Sequence, residues 1–174
     1  MRRLLALLCL AALPAAAQEA TEVQTDLDGD GTIETWVMET DDAGGALLTV
    51  DGLDGIRVYR DVVWSGAMAG TTPSLDVAPN GSLQIVSQNE AIGRDRWRQV
   101  LTVAFRDGAY RVAGFSYDWY DTLNPDSRGL CDLNLLTGRG VVMDGDHEAE
   151  VDASVPALPL AQWTSDTFPG ECLP

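Results

Sequence analysis

Arg96-Trp97-Arg98-Gln99-Val100-Leu101-Thr102-Val103-Ala104-Phe105-Arg106, then Asp107-Gly108, then Ala109-Tyr110-Arg111-Val112-Ala113-Gly114-Phe115-Ser116-Tyr117-Asp118-Trp119, is the stretch that decides the fold. Both arms are rich in β-branched and aromatic residues, which favour extended backbone. Asp-Gly tolerates positive φ at two successive residues, as a two-residue type I′ turn requires. Direct pairing across that turn sets Phe105 opposite Tyr110, Val103 opposite Val112, Leu101 opposite Gly114 and Trp97 near Asp118. That face is mostly apolar and is expected to look inward. The other face sets Val100 by Phe115, Arg98 by Tyr117 and Arg96 near Trp119, an arrangement suited to guanidinium groups lying on aromatic rings.

The same alternation and turn chemistry extend in both directions. Thr32–Thr40 and Ala46–Val50 flank Asp41-Asp42-Ala43-Gly44-Gly45, and a third strand is expected over Ile56–Trp64. Ser74–Ala78 and Ser82–Ser87 flank Pro79-Asn80-Gly81, another hairpin connection. After the central hairpin, Asn124–Ser127 reads as a loop. Leu130–Leu136 and Val141–Met143 then read as strands around Thr137-Gly138-Arg139-Gly140. His147–Val155 suits an exposed edge strand, Ser154–Leu160 contains two prolines and should wander, and Leu160–Asp166 is the one place for a short helical turn. Seventeen glycines and eight prolines punctuate these short segments. The expected fold is all-β, an antiparallel β-sandwich or a barrel-like meander.

The amino terminus has a different character. Met1-Arg2-Arg3 is positive, Leu4–Leu13 is an unbroken apolar run, and Ala15-Ala16-Ala17 supplies small residues after Pro14. These are the three regions of a secretory signal, expected to be cleaved after Ala17. A membrane anchor needs about 20 apolar residues, so no insertion is expected once the signal is removed. Residues 18–174 are then one all-β domain in the periplasm or outside the cell. The formal net charge is −16 over the whole chain, and loss of Arg2 and Arg3 with the leader takes it to −18. Such acidity argues against nucleic acid and anionic membranes as partners, and favours cations, basic proteins or neutral glycans. It is equally explained as a solubility device. Cys131 and Cys172 are the cysteines left beyond the leader, and in an oxidising compartment they read as one disulfide.

A candidate site lies at Asp26-Leu27-Asp28-Gly29-Asp30-Gly31-Thr32-Ile33-Glu34. Carboxylates at alternate positions in a tight turn point to one centre, and Ca²⁺ takes six to eight oxygen ligands. An EF-hand also needs a bidentate Glu at the twelfth position and flanking helices, but Val37 stands there within an expected strand. The pattern D-x-D-x-D-G-x-x-[DE] instead resembles the cation loops of FG-GAP/VCBS-type repeats found in integrin-like β-propellers. The resemblance covers about a dozen residues from Asp26, and the motif occurs once where a propeller repeats its blade. It implies a structural Ca²⁺ held by Asp26, Asp28, Asp30, Thr32 and Glu34.

Other acids carry weaker signals. In Asp144-Gly145-Asp146-His147-Glu148-Ala149-Glu150-Val151-Asp152 the carboxylates recur at every second residue, so on a strand they line one face and His147 the other. That is the composition of a solvated, self-protecting edge. His147 is the sole histidine, no G-x-S-x-G is present, and zinc ligands are too few. No catalytic residues are assigned. Phe115, Tyr117, Trp119 and Tyr120 with Asp118 and Asp121 read as core and packed rim rather than as a sugar-binding surface. The functional expectation is a non-enzymatic, calcium-stabilised binding module that meets another envelope component. Alternatives are a carboxylate-dependent glycan hydrolase, since such chemistry needs only Asp and Glu, and an inhibitor of a cationic extracellular enzyme.

Overall fold

The computed structural model describes residues 21–41 and 43–173. The leader Met1–Ala17 lies outside the described residues. Among those described, no helix is long and apolar enough to cross a membrane. The described residues form eleven strands in two antiparallel sheets. The smaller joins β1 (Glu22–Thr25), β2 (Glu34–Thr40), β3 (Ala46–Gly52) and β4 (Gly55–Arg60) in chain order. The larger runs through β5 (Ser74–Val77), β6 (Leu83–Asn89), β7 (Asp95–Arg106), β8 (Ala109–Asp121), β9 (Asn124–Asn134), β10 (Arg139–Asp144) and β11 (His147–Asp152) as one meander. Both sheets stay open, so the sandwich expectation holds and the barrel-like one does not.

Alternation sets the core. Trp36 and Met38 of β2 and Leu48 and Val50 of β3 are buried together with Leu83 and Ile85 of β6, Leu101 and Val103 of β7, and Tyr110, Val112 and Phe115 of β8. Trp36 meets Tyr110 edge-on, with ring centroids 4.9 Å apart, joining the two sheets at one end.

The central hairpin forms where the sequence puts it. Asp107 and Gly108 take φ of 53° and 74°, and Phe105–Tyr110 and Val103–Val112 pair as expected. Beyond that point the expected register is off by one residue. Thr102 faces Gly114, which leaves Ala113 as an extra residue in β8. Leu101 therefore pairs with Phe115, Val100 with Ser116, Arg98 with Asp118, Trp97 with Trp119 and Arg96 with Tyr120. The bulge changes the phase of alternation, so Tyr110, Val112 and Phe115 all turn into the core. The carbonyl displaced at Ala113 is not wasted, since it accepts the Leu135 N–H at 2.9 Å. Arg96 and Arg98 thus lose the ring partners expected of them, and the cation–π contact found is Arg57 over Tyr110, at 5.7 Å.

Other boundaries differ: β2 starts at Glu34 rather than Thr32, β9 ends at Asn134 rather than Leu136, and β10 starts at Arg139, inside the expected turn. The Glu22–Thr25 strand carries too little pattern to be foreseen. The strand expected to reach Trp64 ends at Arg60, because Asp61 turns to a positive φ of 53° and Val62 and Val63 dive into the core. Asn124 belongs to β9, although Pro125–Ser127 do bulge from the ladder between the Asp121–Asn124 and Tyr120–Arg128 pairs.

Four strands cannot cover seven. The uncovered inner surface is sealed by the segment after β11, which includes the expected helical turn as a 3-10 turn at Leu160–Gln162 and a second, unexpected one at Gly170–Cys172. Phe168 packs edge-on against Phe115 and Tyr117, at 5.2 and 5.0 Å, and Trp163 and Leu160 are fully buried. Cys131 of β9 and Cys172 form a disulfide with Cα atoms 5.3 Å apart, and Ser154 donates its N–H and hydroxyl to Glu171 at 2.8 and 2.6 Å. The strap is thus fastened at its far end.

Two outcomes are expected. Deleting Ala113 removes the extra residue, so the ladder should run unbroken with Phe115 still facing inward opposite Leu101. The cost should stay well below the roughly 3–5 kcal/mol of a Phe→Ala core truncation, and a denaturant midpoint lowered as far as that of Phe115→Ala would contradict the assignment of Ala113 as the bulged residue. Replacing Cys131 and Cys172 by Ala should cost about 4 kcal/mol by loop entropy and shift Trp163 emission toward the red. Unchanged urea melts would show that the strap holds without its fastening.

Candidate metal centre

The acidic loop spans β1 and β2 and closes on their last ladder pair, Thr25 with Glu34. Its shape comes from its own side chains. Asp26 accepts Gly29 N–H at Oδ1 (2.8 Å) and Gly31 N–H at Oδ2 (3.1 Å). Asp28 accepts Asp30 N–H at 3.1 Å, and Asp30 accepts Thr32 N–H at 2.6 Å. Short carboxylates that bond backbone a few residues on are what bend such turns. Gly29 and Gly31 occupy φ of 77° and 89°, a region that costs other residues about 1–2 kcal/mol.

Within the described residues this folding gathers Asp26, Asp28 and Glu34, each offering a carboxylate oxygen within 4.8 Å of the others. Asp30 stands outside that group, occupied with Thr32 N–H. Thr32 joins the loop network through that same N–H.

Glu34 is the unusual member. It is 2% exposed, with its side chain laid along Gly52 and Oε2 accepting Leu27 N–H at 2.7 Å. Burial pushes its carboxyl above the usual range. The Leu27 bond opposes this, and the nearby charges of Asp28 and Asp26 add to it. Burial, with Glu34 and Asp28 next, also drives the Tyr110 hydroxyl upward. Asp28, Asp30, Glu34, Gly52, Asp54, Arg57 and Tyr110 border a cleft of about 20 Å³. That is room for one water-sized body. Three hard oxygen donors, one of them buried, fit a Ca²⁺-type cation better than a soft metal.

Sequence reasoning found the loop but not its surroundings. Tyr110, Arg57 and Gly52 reach the cleft from β8, β4 and the end of β3, and no local pattern marks them. Thr25 Oγ1 also donates to Gly81 O at 2.8 Å, fixing the loop's base to the β5–β6 turn of the larger sheet. The loop therefore sits at the seam between the sheets.

The other acids are placed differently. The run from Asp144 is a hairpin rather than one strand, so Asp144 pairs with His147 across the turn and shares its face, against the expectation. β11 is the exposed edge strand foreseen. Phe115 is core and Tyr117 is packed between Trp97 and Phe168. Asp121 is bound by Arg94 and by Leu123 N–H, and its carboxyl is held low by them. Asp118 is raised by burial against the pull of Arg98.

A carboxylate whose folded pKa exceeds its unfolded one takes stability away as pH rises through that interval. Without divalent metal, Glu34 should act in this way. Glu34→Gln keeps an acceptor for Leu27 N–H and removes the charge, so in chelator at neutral pH it should melt at or above the parent. The parent's melting point should also fall as pH climbs above the ordinary Glu range, with a steeper slope than the variant's. Melts in chelator across pH read both, and a variant plainly weaker than its parent would show that the buried charge carries no such cost.

Comparisons with protein-family models, curated proteins and solved structures found no match for this chain.

Proposed function

We propose that this chain is a secreted or periplasmic binding module without catalysis of its own, stabilised by one structural Ca²⁺ and engaging another envelope component. The observation that carries the reading is the buried Glu34 carboxylate beside Asp26 and Asp28, at the seam of the two sheets. A divalent cation there offsets two of the three negative charges and ties β1 to β2, near the contact of Trp36 with Tyr110. Asp26, Asp28 and Glu34 supply the side-chain oxygens. Asp30 and the Thr32 carbonyl complete the set by the FG-GAP-type resemblance. The ion's contribution is rigidity. Extracellular modules hold such ions with Kd of about 0.1–1 mM, so occupancy follows the calcium level outside the cytoplasm. The leader and the disulfide agree with that compartment.

The partner follows from charge. A surface with a net charge of −18 after loss of the leader speeds encounter with a basic protein and leaves neutral glycans as the other suitable class. Binding is favoured over hydrolysis by the state of the acids near the aromatic cluster. Of the two acids in that cluster, Asp121 is engaged by Arg94 and Leu123 N–H, which occupies one carboxylate that glycoside hydrolysis would need.

Calcium at about 10 mM should raise stability by about 1–3 kcal/mol over chelator, and Asp28→Ala should remove the difference. Titration calorimetry and paired melts measure it. A flat titration, with Asp28→Ala behaving as its parent, would refute the metal.

A further inference from the structure

Each sheet edge is a row of unpaired backbone groups, and proteins normally guard them. Three of the four edges here are guarded. β11 carries Glu148, Glu150 and Asp152 on one exposed face. β1 and β5 are four residues long and lie against one another. β4 is different. It has six residues and no proline, its only charges are Arg57 and Arg60, and it exposes Ile56 at 69% and Val58 at 48%, with Leu53 at 76% in the turn before it. Beside it runs an open groove of about 340 Å³, walled by Val58, Tyr59, Arg60, Leu160 and Trp163. The strap's backbone bond near this edge, Ser165 N–H to Asp61 O at 2.7 Å, falls beyond the strand's end.

We infer that β4 pairs with β4 of a second copy of this chain, antiparallel and about a two-fold axis, joining two small sheets into one of eight strands. The register argues for this occupant. A two-fold axis normal to a sheet keeps each face on its own side, so paired positions must share parity, and the sum of their numbers is even. Ile56, Val58 and Arg60 share one face, opposite Asp51, Thr49 and Leu47 of β3. Centring the axis on Arg57 sets Ile56 against Val58 of the second copy, twice, and the Asp54 turn against Arg60, twice. Centring on Val58 pairs Val58 with itself but sets Arg60 against Ile56, and centring on Ile56 pairs Ile56 with itself but sets Val58 against Asp54. One register alone matches apolar with apolar and acid with base. In it the two Arg57 side chains meet at the axis, each over a Tyr110 ring, and the Asp54 carboxylate 2.8 Å from Arg57 is shared with the incoming Arg60. Isologous pairing of this kind is the commonest route to a dimer. Because each copy is strongly acidic, mutual repulsion weakens the pair at low salt, and screening strengthens it.

Sedimentation equilibrium of the disulfide-intact chain should show a monomer–dimer equilibrium that tightens as salt rises, and Val58→Lys should weaken it by about tenfold or more. Cysteine pairs test the register. Mixing Ile56→Cys with Val58→Cys protein under mild oxidation should give a disulfide-linked dimer, while each variant alone should give little. The second Val58 variant keeps this readable if Val58→Lys misfolds. A chain that stays monomeric at high salt, crosslinking of Val58→Cys with itself, or an edge filled only by an added extended peptide would each overturn the proposal.

Discussion

A seven-stranded sheet presents more inner surface than a four-stranded sheet can cover, and the rest of this architecture is a response to that mismatch. Apolar surface left open to water forfeits about 25 cal/mol for each Å², so Phe115, Tyr117 and Cys131 need a lid. The carboxy-terminal strap supplies it through Leu160, Trp163 and Phe168. It lacks a sheet ladder of its own, so its hold comes from the Arg111–Pro159 bridge, the Ser154–Glu171 bonds and the disulfide. Packing and covalent closure thus do here what strand pairing does elsewhere.

The bulge at Ala113 belongs to the same problem. Perfect alternation along β8 would send either Tyr110 and Val112 or Phe115 away from the core. One extra residue lets all three face inward. Tyr110 is then free to meet Trp36 of the small sheet, while Phe115 meets Trp163 and Phe168 of the strap. A single strand serves two different lids because its phase changes between them. The acidic loop lies near the first of these contacts, so an ion at Glu34 would act on the seam between the sheets rather than on a peripheral turn.

Much of this was legible in the residues. Strands, the Asp107-Gly108 turn, the exposed edge at β11 and the cysteine pair follow from local pattern, because period-two alternation, turn stereochemistry and the parity of cysteines are properties of short segments. The loop was legible too, since Asp and Gly at fixed spacing bend a chain by local hydrogen bonds. The bulge was not. Ala113-Gly114 carries no mark that separates an added residue from a continued ladder, and one residue is enough to move every partner of Arg96, Arg98 and Val100.

The sequence by itself determined the class of fold, the places where the chain reverses and the grouping of carboxylates near its start, because each depends on neighbours a few residues apart. Tertiary structure alone decided which carboxylate is buried, that Tyr110, Arg57 and Gly52 border the cleft, and that β4 is left as an unguarded edge. Those outcomes depend on which surfaces meet across the sandwich, and burial is a property of the assembled layers that no single segment contains.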